Sequence, residues 1–229
     1  MSREPQVLVI GAGIFGLTMA ERFANGKGKD VLVVDSRNHI GGNAYSEFDL
    51  ETGIECHKYG SHIFHTSDEK VWEYVNRFTR FSNYFHRVYT THKHPGTDKP
   101  EVFSMPINLG TINQFFRSNY TPAEARQLIA EQSRNNPAAR EGREPKNLIE
   151  QGISLIGEPL FNAFIRDYTA KQWQTSALEL SPEIIKRLPV RYNRDNRYFG
   201  DPHEGLPIDG YERWFQNMID AGCAGRGSI

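Results

Sequence analysis

The segment Val7–Asp35, "VLVIGAGIFGLTMAERFANGKGKDVLVVD", limits the fold more than any other part of the chain. A four-residue apolar run, Val7–Ile10, leads into Gly11-x-Gly13-x-x-Gly16. A helical pattern follows on Ile14, Leu17, Ala20 and Ala24, and Asn25-Gly26 is expected to end it. A second run, Val31–Val34, closes on Asp35. Both runs are short and rich in β-branched residues, which predicts strands buried on both faces. Strand, glycine turn, helix, strand and terminal acid form the β-α-β dinucleotide fingerprint. Gly11 permits the tight turn, Gly13 lets the backbone approach a pyrophosphate, and Gly16 lets helix and strand pack closely. The helix start adds unpaired N–H groups and positive dipole. Asp35 can accept from a ribose hydroxyl pair, which argues against a 2′-phosphate and so against NADP.

Composition narrows the class. Of 229 residues 38% are apolar and 12% aromatic, a globular balance. A net charge of −1 proposes no nucleic-acid partner. Cys56 and Cys223 are the only cysteines, so neither a disulfide framework nor a zinc site is expected, and no metal. No apolar run nears the ~20 residues of a membrane span. The opening Met1–Pro5 goes straight into a strand and reads as no signal peptide, so a cytoplasmic location is expected.

Further elements follow along the chain. Thr66-x-x-Glu69 and Thr121-Pro122-x-Glu124 read as capping boxes. Val88–Thr91 and Glu101–Ser104 read as a hairpin across the breaker-rich His94–Asp98. Asn135–Pro145 reads as a loop. Leu148, Ile149, Ile153 and Ile156 form a helical face that Gly157 breaks, and Leu160–Ile165 begins another helix. Ser181-Pro182-Glu183 is expected to start a helix through Leu188. Arg191–His203 has no helical period and reads as a long loop. A two-strand unit cannot stand alone as a sheet. The stretch after Asn217 lacks a strand run, so the sheet is expected to stay unfinished and the chain to stop early.

The expected fold class is α/β: a Rossmann-type FAD-binding domain with an incomplete sheet, a β-hairpin and an inserted α-helical substrate domain. The expected divisions are 1–83 for the FAD-binding part, 84–108 for a small antiparallel sheet and 109–190 for the helical substrate domain. A lid loop at 191–204 and a return segment at 205–229 complete the scheme. FAD is favoured over NAD by Gly41-Gly42-Asn43, since a glycine pair soon after the ribose acid is typical of amine-oxidase-type flavoproteins. Taken alone, that pair also fits an ordinary turn.

The segments "HIGGNAYS", "HKYGSHIFHT", "YTAKQW" and "IKRLPVRYNRDNRYFGD" stand in the order found in the UDP-galactopyranose mutase family, and residues 5 to 218 resemble it. The resemblance implies interconversion of UDP-galactopyranose and UDP-galactofuranose for cell-surface glycans. Reduced FAD is thought to act through N5 on the anomeric carbon, without net redox change. It implies FAD contacts from Gly11, Gly13, Phe15, Gly16, Asp35, Gly42, Asn43, His62 and Ile63, with His65 nearby. Either histidine, read without the family, also fits a packing role. The family match further implies substrate contacts from Phe164, Tyr168, Thr169, Trp173, Arg187 and Tyr198. His62 and Arg187 would support catalysis while the flavin does the chemistry. The spacing of Phe164 and Tyr168 predicts one helical face able to hold a flat ring. A homodimer is an admissible assembly.

The segment "AGCAGRGSI" departs from the family, and a second substrate arginine, late tyrosines and a late glycine motif are not found. The isolated chain is therefore expected to be inactive and prone to aggregate. An amine-oxidase-type flavin oxidoreductase and a non-catalytic nucleotide-binding remnant remain alternatives.

Overall fold

The computed structural model describes residues 4–94, 97–186, 188–224 and 227–229. In chain order come β1 (Val7–Ile10), α1 (Ile14–Lys27), β2 (Val31–Val34), β3 (Ser46–Phe48), β4 (Glu55–His57), β5 (Phe64–Thr66) and α2 (Glu69–Val75). Next are β6 (Val88–His92), β7 (Glu101–Met105), α3 (Leu109–Phe116), α4 (Pro122–Ser133) and α5 (Pro137–Glu141). Then follow α6 (Leu148–Ile156), α7 (Glu158–Phe164), α8 (Arg166–Trp173), β8 (His203–Gly205) and α9 (Gly210–Cys223). The chain forms two compact units, Met1–Phe85 with Phe199–Ile229, and His86–Tyr198. The fold is α/β, with a Rossmann-type first unit, small incomplete sheets and a largely helical second unit.

In the first unit β1 and β2 pair in parallel, Val7 opposite Val31 through Ile10 opposite Val34. Val7, Val9, Val31 and Val33 turn toward the core with α1, where Ala20 and Ala24 are buried. The other face is bare: Leu8, Ile10, Leu32 and Val34 are exposed, Ile10 by 82%. Burial on both faces is therefore corrected to burial on one, because α1 and α9 cover a single side. The helix α1 also runs past Asn25-Gly26 to Lys27 and ends on Gly28, whose φ of 62° is the left-handed conformation that stops a helix. The described residues 227–229 pack onto this unit although they carry no strand pattern. Ser228 bridges Asp30 in parallel, Val31 N donates to Ser228 O at 2.8 Å, and Ile229 packs beside Val31.

Helix α9 supplies the other wall of this unit. Tyr211, Trp214, Phe215 and Met218 recur at helical spacing and are buried with Leu17, Val75 and Phe78. Glu21, fully buried on α1, accepts from Tyr74 Oη at 2.8 Å and Asn25 Nδ2 at 3.0 Å, so the acid ties α1 to α2. The N-cap of α2 is Asp68 rather than Thr66. Its carboxylate accepts from Lys70 N and Val71 N, and Thr66 Oγ1 accepts from Asp68 N.

In the second unit the expected hairpin is present, with Val88 opposite Met105 and His92 opposite Glu101. It is a two-stranded antiparallel sheet of its own, and it belongs to the same compact unit as the helices that follow. Phe103 enters the same core as Ile112, Ile129, Leu148, Ile156, Leu160 and Phe161. The capping box at Thr121 forms as read: Glu124 N donates to Thr121 Oγ1 and Thr121 N to Glu124. Two loop and helix readings change. Asn136 caps α5 inside the expected 135–145 loop, because an Asx acceptor followed by proline is a helix start. The helix expected from Ser181 reduces to a 3₁₀ turn at Pro182–Ile184. The expected 191–204 loop is divided too: it runs to Tyr198 in this unit, whereas Phe199 onward belongs to the first and enters β8.

Candidate nucleotide-binding site

The turn of the glycine fingerprint requires glycine at two positions, Gly11 and Gly16. Gly11 has a φ of 103° and donates to Val34 O at 2.7 Å. A Cβ at Gly16 would stand 1.8 Å from Gly11 O, so the helix lies directly on the turn. Gly13 caps α1 without a side-chain acceptor, leaving the first-turn N–H groups to face outward. A Cβ at Gly13 would meet only Gly42 Cα, at 3.9 Å.

The second glycine pair is laid against the first turn. Gly41 N donates to Ala12 O at 2.7 Å, and Gly13 bridges Gly41. Gly41 and Gly42 have φ of 94° and 58°, and a Cβ on Gly42 would close to 3.1 Å from Gly13 Cα. The two loops thus form one backbone cradle without side chains between them. Asn43 follows at once, and its Oδ1 accepts from Arg37 Nη2 at 2.8 Å.

Asp35 is fixed from two sides. Its Oδ1 accepts from Arg37 N at 2.8 Å and its Oδ2 from Ala12 N at 2.7 Å. The Arg37 and then the Ala12 backbone N–H hold its carboxyl below the usual carboxylate range. Each oxygen keeps an unused lone pair for a ribose hydroxyl. Beside it lies a cavity of about 540 Å³ lined by Ala12, Asp35, Arg37, His39, Ile40 and Ile219. Phe15, in the first turn of α1, is 78% exposed.

His62 sits on the β4–β5 connection, held by its backbone. His62 N donates to His57 Nδ1 at 3.0 Å, and His62 O accepts from Tyr211 Oη at 3.0 Å. Its ring Nδ1 lies 2.8 Å from Gly60 O, and Ile63 is half-buried. His65 Nδ1 lies 2.6 Å from Asp201 Oδ2, and its ring stacks on Phe199 at 3.7 Å. The sequence reading missed Arg37, His57 and Tyr211. Their partners are 6, 5 and 149 positions away, respectively; His57 opens the segment "HKYGSHIFHT" but was given no role there, and Arg37 and Tyr211 lie outside the quoted segments.

The expected aromatic pair in the second unit is split. Phe164 ends α7 and is buried against Phe103 and Phe115 at ring distances of 5.1 and 5.4 Å. Ile165, with φ −116°, separates it from α8. Tyr168 and Trp173 on α8 are exposed by 65% and 56%, while Thr169 is buried. Phe164 therefore backs the core rather than sharing an open face with Tyr168. Tyr198 N donates to His86 O at 2.7 Å, and Tyr198 O accepts from Arg191 Nη2 at 3.2 Å. Arg191 also holds Arg197 O, so the 191–198 loop is wrapped around one guanidinium. Arg187 lies outside the described residues.

The cradle fits a dinucleotide: paired glycines leave the space, the α1 start donates, and Asp35 accepts. Among the described residues no group of three or more His, Cys, Asp or Glu could hold a metal ion, and no helix is long and apolar enough to cross a membrane.

Fold and cradle together define a Rossmann-type nucleotide-binding protein, and residues 9–78 match the NAD(P)-binding Rossmann-like domain model. Residues 163–224 match the family model of UDP-galactopyranose mutase. The chain is 42% identical over 214 residues to a probable UDP-galactopyranose mutase of Klebsiella pneumoniae, covering 93% of this chain and 53% of that protein. It is 41% identical to the dTDP-fucopyranose mutase of Escherichia coli, covering 94% and 54%. Among solved structures, reduced UDP-galactopyranose mutase shares the fold with a TM-score of 0.64 at 19% identity, covering 95% of this chain and 46% of that one. An oxidoreductase from Methanosarcina mazei shares it at a TM-score of 0.55 and 17% identity, covering 97% and 50%. The chain spans about half the length of the curated relatives it matches. What it resembles is the amino-terminal portion of UDP-galactopyranose mutase.

Proposed function

We propose that this chain is the FAD- and nucleotide-sugar-binding portion of a UDP-galactopyranose mutase. The observation that carries the reading is the close fit of the Gly41-Gly42 loop onto the Gly11–Gly16 turn beside Asp35, in a chain 42% identical to a probable mutase. Gly11, Gly13, Phe15, Gly16, Asp35, Gly42 and Asn43 would hold the cofactor, with His62 and Ile63 beside its ring system. Reduced FAD, when bound, supplies the nucleophile for the sugar's anomeric carbon. The protein's share is to bind, orient and exclude water. Tyr168 and Trp173 offer flat, exposed surfaces for a pyrimidine ring, and the buried Thr169 and Phe164 would support that segment. Arg187 and Tyr198 would meet the diphosphate, a guanidinium matching adjacent phosphates through its fork of donors. A nucleotide-sugar substrate and a reduced flavin fit a cytoplasmic reaction.

The similarity to a dTDP-fucopyranose mutase favours a second reading of the substrate, a thymidine diphosphate sugar on the same site. Incubation of the dithionite-reduced, FAD-loaded chain with each furanose or pyranose nucleotide sugar, followed by chromatography, tests both. Ring-size isomerisation without net consumption of reductant would identify a mutase, although this chain, about half the length of its curated relatives, is expected to be inactive by itself. Stoichiometric loss of reductant would instead identify an oxidoreductase. Retention of FAD without turnover of either sugar would leave a nucleotide-binding remnant.

A further inference from the structure

Arg37 has no place in the dinucleotide fingerprint, yet it touches that fingerprint's Asp35 and also Asn43 of the second glycine loop. Its backbone N–H donates to Asp35, and its Nη2 donates to Asn43 Oδ1 at 2.8 Å. The guanidinium lies 4.4 Å from the centroid of the Tyr59 ring. Tyr59 is anchored in turn: His39 Nε2 is 2.7 Å from its hydroxyl, and His39 stacks on Tyr45 at 4.0 Å. The arginine is thus held at its backbone, at its ring contact and at its tip.

A guanidinium carries five donors and no acceptor. The Asn43 atom facing it must be the carbonyl oxygen, which settles the polarity of an amide that could otherwise rotate by half a turn. Nδ2, with two donors, is turned away from Arg37 and has no protein partner among the described residues. Asn43 directly follows Gly42, which packs against Gly13. We infer that Arg37 is a positioning residue that fixes the Asn43 amide so that Nδ2 donates to an acceptor oxygen of the bound dinucleotide. The inference rests on the FAD reading above.

Titration of FAD into this chain, read by flavin fluorescence, tests it, with melting curves of the unloaded chain as the folding control. R37A and N43A are each expected to weaken FAD binding roughly tenfold, the scale seen when the group orienting a direct ligand is removed. The double variant R37A/N43A should bind no more weakly than N43A, because Arg37 acts through Asn43. R37K, which can still donate to Oδ1, should restore affinity. N43D keeps the acceptor for Arg37 but loses the donor, so it should melt like the parent and bind FAD poorly. A further tenfold loss on adding R37A to N43A would overturn the inference, and so would parental affinity in R37A. If the parent chain itself bound no FAD, the cofactor reading would fall and take this inference with it.

Discussion

Tyr211 on α9 donates its hydroxyl proton to the carbonyl oxygen of His62, 3.0 Å away and 149 positions earlier. The same tyrosine's N–H donates to Ser46 Oγ at 2.9 Å, and Ser46 Oγ donates to Glu55 at 2.5 Å. Helix α9 is therefore fastened to both the β3–β4 hairpin and the His62 segment. Burial, with the nearby Glu55 charge, raises the Tyr211 phenol above its ordinary range, so it remains a donor at any physiological pH. Tyr211→Phe keeps the packing and deletes the donor. It should cost about 1 kcal/mol, seen as a lower midpoint in urea unfolding with an unchanged slope. A midpoint equal to the parent's would show that water satisfies His62 O equally well.

Gly13 and Gly16 stand three residues apart but should fail differently. At Gly16 an added Cβ would overlap Gly11 O at 1.8 Å, so Gly16→Ala must displace the helix or the turn. A loss of roughly 3 kcal/mol or more is expected, as for other severe overpacking. At Gly13 the nearest atom is 3.9 Å away and the φ is −75°, which alanine adopts freely. Gly13→Ala should leave stability within about 0.5 kcal/mol. Its methyl would still occupy the space a pyrophosphate needs, so FAD affinity should fall by more than about tenfold. Equal FAD affinity in Gly13→Ala and the parent would place the diphosphate elsewhere.

What the sequence made legible was local. The Thr121–Glu124 box and the Gly11–Gly16 turn depend on neighbours within a few residues and stand as read, and the β6–β7 hairpin forms between the two runs expected to build it. Competing local signals were harder to rank: Asp68 outdid Thr66 as a cap, and Asn136-Pro137 began a helix in a stretch that composition marked as loop. Tertiary relations could not be read at all. The four-residue spacing of Phe164 and Tyr168 is genuinely helical, but the break at Ile165 separates the two rings, a matter of packing rather than period. The Ser228 bridge to Asp30 pairs residues 198 apart in a tail without a strand pattern.

The aromatic residues of the second unit divide by burial. Phe164 is packed among Phe103, Phe115 and the His92 ring, so Phe164→Ala should destabilise this unit by about 3–5 kcal/mol. Tyr168→Ala and Trp173→Ala remove exposed rings and should change stability by no more than about 0.5 kcal/mol. If Tyr168 stacks on a pyrimidine, Tyr168→Ala should weaken UDP binding roughly tenfold, or about 1.4 kcal/mol. Calorimetric titration with UDP separates the two roles. Undiminished UDP affinity in Tyr168→Ala and Trp173→Ala would remove α8 from the proposed substrate site.

Acid should weaken the second unit through Glu150. Its two oxygens accept from Arg143 at 2.7 and 2.8 Å, and Lys146 N donates to it at 2.8 Å. The Arg143 guanidinium, followed by the Lys146 N–H, lowers the Glu150 carboxyl to about 2. A carboxyl depressed in the folded state contributes stability that is fully present above its unfolded value, about 4.3. That contribution is lost as pH falls from there through about 2. Glu150→Gln should therefore lower the melting temperature by about 2–4 °C at pH 7. The gap between variant and parent should narrow below about pH 4.3 and close near pH 2, because protonation then removes the same charge from the parent. A gap that stays constant from pH 7 to pH 2 would show that Glu150 contributes by packing and not by its charge.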